Sequence, residues 1–316
     1  MTADATTGGP GLVVGIDIGG TKTAAAVVGL DGTLAHRVEA PTPARAGADA
    51  ILDTAARLVA EAAERAGAAD GPGSVGVGSA GAFDDHGVVV HATDHLAGWL
   101  GTDVAGGLRA RLGVPVAVEN DVHAAALGEH WAGGAPERFL FVAVGTGLGG
   151  AVVSDGSVLR GASGMAGSVG HVRIPTLRHR VCSCGGADHL EAFASGPGIE
   201  LSYAEATGRG LGLREIARQA AAGDTVAARV IREAAELLGE SLASAVVTID
   251  PGLVLIGGGV SGLGTGLTAP LAERLHADLR PPFAGVRVEL ARTGADAALL
   301  GAGRLGRELL EPPPRG

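Results

Sequence analysis

Two stretches of this chain repeat one layout, and the repetition limits the possible folds more than any other feature of its 316 residues. Leu12-Val13-Val14-Gly15-Ile16-Asp17-Ile18 runs into Gly19-Gly20-Thr21-Lys22-Thr23, then an apolar stretch over residues 24–30 and an Asp31-Gly32 pair. About 125 residues on, Phe139-Leu140-Phe141-Val142-Ala143-Val144 runs into Gly145-Thr146-Gly147-Leu148-Gly149-Gly150, then Ala151-Val152-Val153-Ser154 and Asp155-Gly156. Each copy reads as strand, tight glycine turn, strand and Asp-Gly hairpin turn. A single hydrophobic core stops growing at roughly 250–300 residues, so two similar β-starts in a longer chain predict two lobes.

Helical and strand patterns alternate between and after these starts. Residues 48–66 carry apolar side chains at helical spacing, 74–77 and 114–118 read as strands, and 105–112 as a helix. Residues 224–247 read as one or two long helices, and Leu253-Val254-Leu255-Ile256 as a buried strand ending in Gly257-Gly258-Gly259. The expectation is an α/β protein of two lobes, each opening on a glycine-turned hairpin, with a cleft between them.

Composition narrows the function. Hydrophobic residues make up 46% and aromatic ones only 3%, so the cores must be aliphatic. Lysine and arginine total 24 against 34 acidic residues, a net charge of −10 and the wrong sign for a nucleic-acid partner. Residues 1–11 have no basic residue and no apolar core, so they read as a frayed leader and not a signal peptide; residues 311–316 read as a loose end. The longest uncharged stretch, from Pro251, is broken by Gly252, Gly257, Gly258, Gly259, Gly262, Gly264 and Gly266, so no membrane span is expected. Cys182 and Cys184 are one residue apart, where a bridge would be strained and close almost no loop; reduced thiols fit a cytoplasmic location.

The glycine clusters invite nucleotide motifs. Gly15 and Gly20 have Walker A spacing, but Thr21 stands where the lysine belongs. Gly145-x-Gly147-x-x-Gly150 satisfies the dinucleotide fingerprint, yet Ala151-Val152-Val153 and a turn follow in place of a helix, and no acid lies between Asp155 and Asp188 for a ribose. What remains is a pair of β-turn-β loops whose backbone amides can approach phosphate oxygens, helped by the Thr21 and Thr146 hydroxyls and the Lys22 charge. Asp17, mid-strand among apolar residues, is costly to bury without a task, and a phosphate-bound Mg²⁺ supplies one. In Val118-Glu119-Asn120-Asp121-Val122-His123 a strand runs straight into a helix. Asn120 or Asp121 caps it, and an acid there is equally placed to act as a general base beside an asparagine that holds hydroxyls.

Asp17-x-Gly19-Gly20-Thr21-Lys22-Thr23, Glu119-Asn120-Asp121, Val144 to Gly150, Gly170-His171, Cys182-x-Cys184-Gly185 with Glu191, and Ile256-Gly257-Gly258-Gly259 resemble, in this order, the motifs of the ROK family of repressors, open reading frames and sugar kinases. The likeness runs from about Val13 to Leu300. It implies an actin/hexokinase-like fold of two ribonuclease-H-like lobes with a nucleotide/sugar cleft, and phosphoryl transfer from ATP to a sugar 6-hydroxyl. The implied division is a small lobe of residues 1–119 and 303–316, with the first phosphate segment, and a large lobe of 120–302. By position Asp121 corresponds to the catalytic base, and Gly81, Asn120, Asp121, Ser168, His171 and Glu191 to the sugar site. Asp17, Gly19, Gly20, Thr21, Lys22 and Thr23 with Gly145, Thr146 and Gly147 correspond to the two phosphate segments, and Gly257, Gly258 and Gly259 to the adenosine segment. A homodimer or homotetramer is also implied.

The resemblance implies a structural zinc as well. The family joins the histidine of Glu-x-Gly-His to three cysteines of Cys-x-Cys-Gly-x-x-Gly-Cys-x-Glu; here His189 stands at the third cysteine and Asp188 at the glycine before it. His171, Cys182, Cys184 and His189 still make a Cys2His2 donor set, with His179 a rival fourth ligand. Ser168 replaces the glutamate of Glu-x-Gly-His, Ala80 a proline, and His95 an asparagine. Losing one charge-assisted bond costs about 1.5–3 kcal/mol, so the sugar need not be glucose. The expected activity is a glucokinase-like ATP-dependent hexose kinase; the alternatives are a kinase for an amino or modified sugar (kanosamine or N-acetylmannosamine type) and a catalytically weak sugar-binding regulator. A DNA-binding repressor would need a helix-turn-helix ahead of Val13, where a dozen residues stand.

Overall fold

The computed structural model describes residues 11–93 and 95–311. The leader, apart from Gly11, and the end beyond Glu311 lie outside the described residues. The first repeat forms β1 (Val13–Ile18) and β2 (Lys22–Val28), antiparallel from Val14 opposite Val27 to Ile18 opposite Thr23. The Asp31 carboxylate accepts the Thr33 N–H at 3.1 Å and closes the turn into β3 (Leu34–Pro41). There follow α1 (Ala48–Arg65), β4 (Ser74–Ser79), β5 (Ala82–Phe83), β6 (Val89–His91), α2 (Val104–Leu112), β7 (Val116–Asn120) and α3 (Asp121–Trp131). The second repeat gives β8 (Phe139–Val144), β9 (Leu148–Ser154) and β10 (Ser157–Val158). The chain continues as α4 (Glu191–Ala194), α5 (Gly196–Thr207), α6 (Leu213–Ala221), α7 (Thr225–Ile249), β11 (Leu253–Gly257), α8 (Thr265–Asp278), β12 (Arg287–Leu290) and α9 (Ala297–Glu308). α7 is one helix, begun by the Asp224 side chain, which accepts the Val226 and Ala227 N–H groups.

The chain divides into two compact units. The first takes the described residues up to Pro136, Gly156–Ala166 and those from Ala295 on; the second takes Glu137–Asp155 and Gly167–Gly294. These limits differ from a division after residues 119 and 302, because α3 packs on β4 and on α9, which binds both to the first unit.

In the first unit the sheet runs β3-β2-β1-β4-β7, with β1, β4 and β7 mutually parallel. Helices cover it, so β4 is buried along its whole length. Val14, Ile16, Val75 and Val77 pack with Ile51 and Leu58 of α1. In the second unit the strands run β9-β8-β11-β12; β8 pairs antiparallel with β9 and parallel with β11. Leu140, Val142, Val254 and Ile256 meet Leu238 and Leu242 of α7 in a second aliphatic core. Both units thus set one glycine turn at the end of a hairpin whose first strand also heads a parallel ladder.

Candidate active site

In the first unit the β1–β2 turn is a framed loop. Gly19 N–H donates to Lys22 O at 3.0 Å, and the Thr42 hydroxyl donates to Gly19 O at 2.7 Å. Gly20 and Thr21 face outward, Gly20 beside His95. Thr23 is buried and its hydroxyl pairs with that of Thr42 at 2.8 Å, so it braces the loop from behind. Lys22 Nζ lies 3.1 Å from Glu39, which already answers its charge.

Asp17 sits one residue before the end of β1, between Ala24 of β2 and Gly78 of β4, whose small side chains leave room for it. Burial, together with the nearby Asp121 charge, pushes its carboxyl up to about 7 against the pull of Lys22 and Arg37. The folded chain therefore holds a proton there that the unfolded chain releases at ordinary carboxylate pH. Stability from this group falls as pH rises from about 4 to about 7, by several kcal/mol in order of magnitude. We expect Asp17→Asn, in urea melts without Mg²⁺, to exceed the parent in stability at pH 8 and to match it near pH 4; a gap that ignores pH would refute this.

The strand-to-helix junction resolves the choice between Asn120 and Asp121. Asn120 Oδ1 accepts the Val122 and His123 N–H groups at 2.9 and 3.1 Å, and its amide donates to Gly81 O at 2.9 Å. Asn120 is the cap, and one amide proton remains for a ligand. Gly81 has φ +115°, and a Cβ there would meet His91 O at 2.9 Å, so only glycine presents its carbonyl to Asn120 this way. Asp121 opens α3, and burial raises its carboxyl above the ordinary range, opposed by the Val122 N–H and the His123 charge.

Behind this junction lies a network to which the sequence reading assigned no role. Glu119, buried, accepts Asn120 N–H at 2.9 Å on Oε1, which also lies 3.2 Å from His123 Nδ1, and Oε2 forms an ion pair with Arg160 Nε at 3.1 Å. Burial works to raise the Glu119 carboxyl, but these donors hold it below the usual range. Glu119, at the end of β7, and His123, in the first turn of α3, are close in the chain, which carried a local hint. Arg160 carried none.

In the second unit the β8–β9 turn is closed by Gly145 N–H donating to Gly147 O at 2.8 Å, with Thr146 exposed. Gly145 lies beside Gly259, and Gly258, at φ +82°, leaves no room for a Cβ against Val144 O. The second phosphate segment and the adenosine segment are therefore neighbours. Glu191 accepts Leu148 N–H at 2.8 Å and hydrogen bonds from Ser183 and Cys182. These donors, with His171 nearby, outweigh burial and keep its carboxyl below the ordinary range. Ser168 precedes the short turn Val169–His171, and its carbonyl accepts His171 N–H at 3.1 Å.

Residues 13–308 match the ROK family. The chain belongs to that family. It is 36% identical over 291 residues to an N-acetylmannosamine kinase of Shigella boydii, covering 92% of this chain and 96% of that one. It is 31% identical over 312 residues to a glucokinase of Halalkalibacterium halodurans, covering 92% and 94%. Among solved structures, a ROK family glucokinase from Streptomyces griseus in complex with glucose and AMPPNP superposes with a TM-score of 0.80 at 32% identity, covering 94% of this chain and all of that one. The fold is accordingly the actin/hexokinase-like one of ROK sugar kinases, a mixed α/β sheet in each of two lobes.

The ROK knuckle of this chain gathers four metal-type donors. The ligand atoms of His171, Cys182, Cys184 and His189 all lie within 4.8 Å of one another. Cys184 Sγ is 3.2 Å from His189 Nδ1, and Cys182 Sγ is 3.7 Å from His171 Nδ1. Cys182 N–H donates to Gly186 O at 2.8 Å, so the loop between the cysteines and His189 is folded without help from outside. His179 stands outside the cluster: its Nδ1 pairs with Asp188 at 3.1 Å and its ring is exposed. Two thiols and two imidazoles this close fit a tetrahedral zinc.

Proposed function

We propose that this ROK chain is an ATP-dependent hexose kinase of the glucokinase type. The observation that carries the reading is Asp121: a half-buried carboxylate opening a helix, relieved of the capping role by Asn120, in the unit whose glycine turn exposes Gly20 and Thr21. Asp121 accepts the proton of the sugar 6-hydroxyl as that oxygen bonds to the γ-phosphorus. The bond from phosphorus to the β–γ bridging oxygen breaks, ADP leaves with that electron pair, and the protonated Asp121 later returns its proton to water. Gly19, Gly20, Thr21 and Lys22 of one turn and Gly145, Thr146 and Gly147 of the other serve the phosphates, and Gly257, Gly258 and Gly259 the adenosine. Asn120, Gly81, Ser168, His171 and Glu191 serve the sugar hydroxyls. Asp17 would hold a phosphate-bound Mg²⁺, which supplies charge neutralisation along the triphosphate. His171, Cys182, Cys184 and His189 would hold zinc, which keeps His171 and Glu191 in register.

A second reading, a kinase for N-acetylmannosamine or another modified sugar, is favoured by Ser168, a hydroxyl where the family has a carboxylate. ADP release from Mg-ATP over glucose, mannose, N-acetylmannosamine, N-acetylglucosamine and kanosamine tests both readings. Turnover of glucose above the others supports the first, turnover of a modified sugar the second, and none with any sugar overturns the kinase assignment in favour of a binding protein. Among the described residues no helix is long and apolar enough to cross a membrane. A cytoplasmic homodimer or homotetramer accompanies this reading.

The metal can be tested apart from activity. Protein prepared without chelator is expected to carry about one zinc per chain, and His189→Ala to lose most of it, because a three-ligand remnant binds far less tightly. Metal analysis showing equal zinc in parent and variant would remove His189 from the site.

A further inference from the structure

We propose that His123 is a positioning residue, held as an imidazolium between the Glu119 carboxylate and the Ala166 carbonyl, and that this clamp fixes the turn presenting Asn120 and Asp121. The proton count follows from the partners. Nε2 lies 3.0 Å from Ala166 O, which can only accept, so Nε2 carries a hydrogen. Nδ1 lies 3.2 Å from Glu119 Oε1. That carboxylate also accepts the Asn120 N–H and pairs with the Arg160 charge at 3.1 Å, and so is ionised and can only accept. Nδ1 must therefore carry a hydrogen too, and a ring with two is positively charged.

The surrounding charges close the account. The side chains of His123 and Glu119 are 3% and 7% exposed, where an ion persists only when paired. Arg160 spends its remaining nitrogens on Asp85 Oδ1 at 3.3 Å and on the Phe83 and Asp84 carbonyls. Glu119 thus lies between two cations, His123 and Arg160, and Arg160 also reaches the exposed Asp85, while Asp121 feels the His123 charge from the adjoining turn. His123 is tied to the junction twice: its N–H donates to Asn120 Oδ1, and its ring grips the carboxylate that holds Asn120 N–H. Asp121 lies between these ties and cannot shift without breaking a buried ion pair.

The kinetic half of this proposal rests on the kinase reading; the rest does not. In ¹⁵N-histidine spectra near pH 8, where an exposed imidazole is neutral, the signal lost in His123→Gln is expected to show hydrogen on both ring nitrogens. A single protonated nitrogen would overturn the clamp. His123→Gln should speed hydrogen exchange at the Val122 amide about tenfold or more, since its acceptor is no longer held; unchanged exchange would overturn the positioning role. On whichever sugar the parent turns over, kcat should fall at least about tenfold with the KM for ATP within about twofold. If His123→Gln melts low, the double variant Glu119→Gln/His123→Gln removes both charges together. A parental melt with kcat still low supports the clamp, and recovered kcat refutes it. A parent with no turnover on any sugar ends the kinase reading, and the nitrogen spectrum and the Val122 exchange still decide the clamp.

Discussion

Asp121→Asn is expected to lower kcat by roughly 10²–10⁴ on the best sugar of the panel while leaving the ATP-induced rise in melting temperature intact. The amide is isosteric and still accepts Val122 N–H, which Asp121 Oδ1 does at 2.9 Å, so the junction should fold unchanged. What it cannot do is take a proton. The substitution also removes a charge that bears on Asp17, whose carboxyl burial and Asp121 together raise to about 7. Stability at pH 8 should therefore hold or rise as activity falls. A variant retaining more than about a tenth of parental kcat would remove Asp121 from the role of base.

The largest structural effect is expected at Gly301. α9 crosses α3 with backbone against backbone: a Cβ on Gly301 would lie 1.6 Å from Ala124 O, and one on Gly128 would lie 2.1 Å from Ala297 O. No side chain stands between that can move aside, so Gly301→Ala must push the helices apart. We expect a loss of about 3 kcal/mol or more in urea unfolding, with loss of activity, because α3 carries Asp121. Gly266, in α8, has nothing within 4 Å of its would-be Cβ, and Gly266→Ala should be neutral or slightly stabilising through helix propensity. Equal melts for the two variants would show that α9 and α3 do not meet as closely as described.

These two predictions rest on different levels of information. Asp121 was legible as a candidate from its place after an apolar strand and before an alanine-rich helix. The chemistry of capping there is local, and only the observed bonds gave that task to Asn120. Gly301 had no legible role, since its constraint is a carbonyl 177 residues away in the chain. Thr23 and Lys22 were legible as members of a glycine turn, yet Thr42 and Glu39, which engage them, come from the next strand and its end.

The sequence by itself determined the two glycine-turned hairpins, the aliphatic character of both cores and the α/β alternation. Each depends on residues within a few positions of one another, where backbone sterics, periodicity and turn chemistry act. Tertiary structure alone decided where the units divide, that His179 turns to Asp188 and not to the knuckle, that Glu119, His123 and Arg160 share one buried network, and that α9 lies directly on α3. Those outcomes depend on which distant groups burial forces to pair, because a buried charge or carbonyl takes its partner wherever the fold brings one.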